Sequence, residues 1–139
     1  MRQELKEISV ATDGQRLFEI TDSVRAFTKS SGITTGLLTA YCRHTSASLV
    51  IQENADTDVQ RDLIAFFRRL VPDGDPLFVH TMEGADDMPA HVKTALTQTS
   101  LSIPIVDGRL ALGTWQGIFL FEHRQQPHIR KIVLHVFGA

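Results

Sequence analysis

From residue 4 to residue 11 apolar and polar side chains alternate loosely, the period of a strand with one buried face, and Asp13-Gly14 supplies the turn that ends it. Thr21 is placed to cap a short helix through Phe27, which Gly32 closes. Residues 33–42 are rich in β-branched and apolar types and predict a strand. Residues 47–51 predict another, joined to the first by His44-Thr45-Ser46. Thr57-Asp58-Val59-Gln60 reads as a capping box, after which Val59, Leu63, Phe66, Phe67 and Leu70 recur at helical spacing until Pro72. A polar loop and a short extended piece, Leu77-Phe78-Val79-His80, lead to a third helix. Its cap is Asp87, Pro89 sits in the first turn where a missing N–H costs nothing, and Val92, Ala95 and Leu96 supply its buried stripe.

The last third reads as strands: residues 101–106, 109–112, 115–122 and 130–137, with a hairpin signal at Asp107-Gly108 between the first two. In the third of these runs Trp115, Phe119 and Phe121 fall on one face and Ile118 and Leu120 on the other. That strand should therefore be covered on both sides, and another subunit can provide one cover. No repeat or linker interrupts the pattern. The expectation is one α+β domain over residues 1–139, with mostly antiparallel mixed sheets and about three helices.

Composition narrows the class. A chain of 139 residues buries roughly two-thirds of the surface its unfolded form exposes, enough for a core without staples. A net charge of -2 and the lack of any Lys or Arg run argue against nucleic acid as a partner. No segment has the apolar length of a membrane span, and the charged start, Met1-Arg2-Gln3-Glu4, does not resemble a signal peptide, so a cytoplasmic location is expected. The one cysteine, Cys42, lies in an apolar run and reads as a small buried hydrophobe rather than a ligand or nucleophile.

Candidate chemistry is concentrated in three histidine-centred clusters. In Arg43-His44-Thr45-Ser46, His44 emerges from a packed strand face and the hydroxyls of Thr45, Ser46 and Ser48 follow, a reasonable cradle for an oxyanion or phosphate. A polar turn with one hydrogen-bonded histidine would look the same. Asp87 and His91 stand four apart, on one side of a helix, close enough to share a ligand or a proton. The plainer reading makes Asp87 a cap and His91 an exposed residue. In Glu122-His123-Arg124 the strand period sets Glu122 and Arg124 on one face and His123 on the other, in line with Trp115, Phe119 and Phe121. An apolar row of that kind would keep the imidazole neutral for metal binding, although surface salt bridging would also explain the triplet. Glu53-Asn54-Ala55-Asp56 sets carboxylates ahead of the second helix, suitable for a hard cation or for general-base work, or simply a solvated loop. The nucleotide-binding glycine loops, H-E-x-x-H, C-x-x-C and G-x-S-x-G are all absent.

Residues 42–49, with Glu53-Asn54-Ala55-Asp56, the run Met82-Glu83-Gly84-Ala85-Asp86-Asp87-Met88-Pro89-Ala90-His91, Gly113-Thr114-Trp115-Gln116-Gly117, Glu122-His123-Arg124 and Arg130, resemble the YjbQ-like family, also called the secondary thiamine-phosphate synthase family. The resemblance spans nearly the whole chain. It implies a compact α+β fold, a homotrimer, and a pocket of histidines and acids that takes a metal ion. It also implies a weak thiamine-phosphate synthase activity, joining a hydroxymethylpyrimidine diphosphate to a thiazole phosphate.

Together these readings give a metal-assisted transferase on a small phosphorylated substrate. His44, His91 and His123 would hold a divalent ion, zinc or magnesium or manganese. Asp87 and Glu53 would be the catalytic carboxylates, and Thr45, Ser46, Arg124 and Arg130 would bind phosphate. Two alternatives use the same pocket: a metal-dependent hydrolase of a small metabolite, and a trimeric ligand-binding module without turnover.

Overall fold

The computed structural model describes residues 1–139. In chain order the elements are β1 (Arg2–Thr12), β2 (Leu17–Glu19), α1 (Thr21–Ser31), β3 (Gly36–Cys42), β4 (Ala47–Glu53), α2 (Thr57–Leu70), α3 (Asp87–Leu96), β5 (Ser100–Val106), β6 (Arg109–Leu110), β7 (Gln116–Glu122) and β8 (His128–Gly138). They form a five-stranded sheet, β1-β8-β3-β5-β6, and a three-stranded sheet, β2-β7-β4, with every strand pair antiparallel. The expected α+β class and its three helices are found.

One core lies between the sheets. Leu38, Ala40, Ile103, Ile105, Ile132 and Leu134 from the larger sheet meet Leu49, Ile118 and Leu120 from the smaller, and Val24 and Phe27 of α1 close one end. The alternate side of β7 buries Phe119 and Phe121 with Leu17, against Leu63, Ile64 and Phe67 of α2. Both faces of β7 are thus covered within one chain, without recourse to a second subunit. Trp115 does not join its aromatic row: it precedes the strand and is 62% exposed.

Several element details differ from the sequence reading, each for a local reason. Thr21 is the first helical residue rather than a cap. Its hydroxyl donates to Glu19 Oε2 at 2.7 Å and accepts the Ile118 N–H at 2.8 Å, tying α1 to β7, and the helix runs on to Ser31 before Gly32 closes it at φ 69°. In α2 the cap is Asp56, whose carboxylate accepts the Asp58 N–H at 2.9 Å, so Thr57 begins the helix instead of capping it. Leu77-Phe78-Val79-His80 forms no strand. The third helix buries Ala90, Lys93 and Thr94, whereas Ala95 and Leu96 are exposed and Val92 is only partly covered, so its apolar stripe is not the face that packs. Asp107 and Gly108 both take positive φ, 50° and 77°, the backbone of the expected two-residue hairpin.

Candidate metal centre

At the start of α3 a carboxylate sits where water cannot compete for it. Asp87 is 2% exposed, and its two oxygens are used separately. Oδ1 accepts Arg124 Nη1–H at 2.8 Å, while Oδ2 lies 2.7 Å from His80 Nε2 and 3.2 Å from His91 Nε2. One helical turn separates Asp87 from His91, which is why both reach the same point. His80 comes from the irregular segment before the helix, and its ring centroid lies 5.5 Å from that of His91.

The other nitrogen of His91 fixes its protonation pattern. Nδ1 is 2.8 Å from the Thr45 carbonyl oxygen, which can only accept, so Nδ1 carries a proton and Nε2 faces Asp87 Oδ2. An Nε2 lone pair and a carboxylate oxygen at that distance would repel, so the position between them takes either a proton or a cation. The ligand atoms of His80, Asp87 and His91 all fall within 4.8 Å of one another. Two imidazoles and one carboxylate oxygen suit a first-row divalent ion and leave a coordination position open, and the carbonyl behind His91 is the usual outer partner of a metal-binding imidazole. The donor set therefore fits a metal.

Arg124 locks this arrangement. Its Nε donates to Asp86 Oδ2 at 3.0 Å, Nη1 to Asp87, and Nη2 to the Glu83 carbonyl at 2.8 Å. Burial raises the Asp87 pKa, but the hydrogen bond from His80 and the charges of His91 and Arg124 outweigh it and hold the carboxyl below the usual range. The result is an ionised carboxylate at neutral pH with one oxygen directed toward the two imidazoles.

The other residues singled out in the sequence are placed elsewhere. His44 turns its Nε2 to the Lys131 N–H, accepting it at 2.7 Å, and this occupies the lone pair a metal would need. His123 is 1% exposed, its ring centroid 4.4 Å from that of Phe121 at a tilt of 48°, with Nε2 bonded to Ser48 Oγ at 2.9 Å. Burial, then the charges of Lys93 and Arg130, push its pKa down to about 3, so the ring is neutral as expected but does not reach the cluster. Glu53 ends β4 at the far side from Thr45, about 20 Å along an extended strand. Arg130 is 3% exposed and clasps Glu122 through Nε and Nη2, the latter also donating to Ser46 Oγ at 3.0 Å. Arg130 and Ser46 thus spend these groups inside the fold, and Arg124 spends its donors on Asp86, Asp87 and Glu83. Of the four residues expected to bind phosphate, only Thr45 has an exposed side chain beside His91.

Sequence reading missed His80. It stands seven residues before Asp87 in a segment without periodicity, and nothing in that spacing marks it as a ligand. Cys42 matches its expectation: it is 1% exposed, and burial pushes its thiol pKa up. No helix is long and apolar enough to cross a membrane.

Comparison with known proteins agrees with this architecture. The family model described as UPF0047 protein YjbQ-like matches residues 6–139. A UPF0047 protein of Synechocystis is 54% identical over 137 residues, covering 99% of this chain and 93% of its own. The UPF0047 protein YjbQ of Escherichia coli O157:H7 is 48% identical over 103 residues, 74% of each chain. Among solved structures, a YjbQ/UPF0047 family protein from Clostridium acetobutylicum superposes with a TM-score of 0.86 at 36% identity, over 95% of this chain and 99% of that one. A hypothetical protein from Aeropyrum pernix K1 gives 0.90 at 31% identity, over 98% and 99%. The chain belongs to the UPF0047 YjbQ-like family.

Proposed function

We propose that this chain is a metal-assisted enzyme acting on a small phosphorylated metabolite, with thiamine-phosphate synthase chemistry as its reaction. The ion is held by His80, Asp87 and His91. The observation that carries this reading is the convergence of His80, Asp87 and His91, whose ligand atoms lie within 4.8 Å of one another, with His91 oriented by the Thr45 carbonyl so that Nε2 faces Asp87.

When bound, the ion supplies Lewis-acid stabilisation of charge on a departing diphosphate. The protein's own groups prepare that position. Arg124 neutralises Asp86 and one oxygen of Asp87, so the remaining oxygen keeps its direction, and the exposed Thr45 side chain can reach a ligand oxygen next to His91. The neighbouring carboxylate, Asp86, is held by Arg124 and the Gln125 N–H. Glu53 acts as base only from a neighbouring copy, which joins this reading to assembly as a homotrimer. The surface of α2 favours such assembly: none of its residues is buried, and Phe66 and Leu70 are 48% and 54% exposed.

Metal-depleted and metal-restored protein, supplied with hydroxymethylpyrimidine diphosphate and thiazole phosphate, tests the reaction. The expected result is joined product only with metal and only with both substrates. Release of phosphate from one substrate and water alone would replace transfer with hydrolysis, and absence of turnover with retained ligand binding would leave a binding module.

A further inference from the structure

Away from the metal centre, α1 and the β5–β6 hairpin wall a cleft of about 560 Å³. The Gly108 N–H donates to the Thr34 carbonyl at 3.0 Å, which holds the hairpin against the chain that leaves the helix. Arg25 and Lys29 line the helix side, one turn apart, and Arg109 lines the hairpin side. The apolar part of the lining is Leu110 and Leu112, both half-buried and packed on the main core. Three cations thus meet at one cleft, and no carboxylate holds them. The arginines that form ion pairs are Arg16, Arg43, Arg124 and Arg130, and the single carboxylate in the lining, Asp107, pairs with none of the three cations. Like charges one helical turn apart repel, and a third cation across the cleft adds to a positive potential in a chain whose net charge is -2.

We infer that this cleft is a binding site for a small organic phosphate, separate from the metal centre. Its volume lies within the roughly 300–1,000 Å³ of small-molecule sites, and a few convergent polar groups beside apolar surface are what such sites combine. Against Asp107 the three cations leave two positive charges in excess, which matches a phosphate monoester at about -1.5 to -2 near neutral pH and exceeds what a single carboxylate answers. The Arg25 and Arg109 guanidiniums donate to the phosphate oxygens, Lys29 adds a third charge, and the body of the ligand covers Leu110 and Leu112. None of the lining residues belongs to the His80, Asp87 and His91 cluster, so the site stands apart from the metal reading.

Calorimetric titration of chelator-treated full-length protein with phenyl phosphate at low ionic strength tests it, with backbone amide shifts to locate the ligand. One saturable site per chain is expected, with shifts centred on Thr28, Gly108 and Leu112. Affinity should fall by about tenfold or more in both Arg25→Gln and Arg109→Gln, which are exposed positions, and stay unchanged in Arg61→Gln, an exposed cation of α2. Inorganic phosphate should bind at the same residues but more weakly, since it has no body to cover the leucines. No saturable binding, shifts centred on Thr45 and His91, wild-type affinity in Arg25→Gln and Arg109→Gln, an equal loss in Arg61→Gln, or inorganic phosphate binding as tightly as the ester would overturn the inference.

Discussion

His91 shows how far one residue's role depends on its second hydrogen bond. The Thr45 carbonyl sets its tautomer, and Arg124 in turn sets the direction of the Asp87 carboxylate it faces. Removing such an outer partner weakens metal affinity by about 10–100-fold. Arg124→Ala should fall in that range in a chelator competition while the helix content of the protein is kept. His123 makes a different prediction, in pH. Its folded pKa is about 3 against an ordinary 6.5, so between these values the unfolded chain binds a proton that the folded chain refuses. Stability is therefore full above pH 6.5 and declines as pH falls toward 3, with a limiting slope of about 1.4 kcal/mol per pH unit. His123→Gln, which can still bond Ser48, should show a shallower decline between pH 6.5 and 4 in denaturant titrations. The Asp87–His91 pair was legible because its spacing alone brings the side chains together. His44 and His123 were not, because only the folded chain reveals that the Lys131 N–H and the Ser48 hydroxyl occupy their Nε2 atoms.

Among the elements, strands with strict alternation were readable directly. β5 buries Leu101, Ile103 and Ile105 and exposes the residues between them. The face of α3 was not readable, since a lysine and a threonine occupy the buried side while Leu96 is exposed, an inversion of the pattern that hydropathy assumes. The N-terminus of α2 permits a sharper comparison. Asp56 makes the capping bond, so Asp56→Ala should cost about 1 kcal/mol in chemical denaturation, and Thr57→Ala should cost a small fraction of that. Gly36 and Gly138 face each other across β3 and β8, and a Cβ on Gly36 would run into the Phe137 carbonyl oxygen. Because that obstacle is backbone, Gly36→Ala should lower the midpoint of thermal unfolding clearly, where a Gly108→Ala control is opposed only by its positive φ.

Across the molecule, a single buried ion pair joins the two sheets. Glu122 of β7 and Arg130 of β8 are 0% and 3% exposed, and Thr12 of β1 donates to the same carboxylate at 2.6 Å. Burial raises the Glu122 pKa, but the bonds from Arg130 and Thr12 bring it below the usual range, so the pair is ionised. Glu122→Ala would leave a buried guanidinium without its partner, and a loss of about 3–5 kcal/mol is expected in equilibrium unfolding. The sequence marked Arg130 as a phosphate ligand, and the fold uses it with Glu122 as a clasp. The metal centre itself is the central claim, and ion content measured on purified wild type, His80→Ala and His44→Ala after zinc loading and dialysis addresses it most directly. The arrangement predicts one ion per chain in wild type and in His44→Ala, and loss of the ion in His80→Ala. Full occupancy in His80→Ala, or loss in His44→Ala with a native fold, would contradict it.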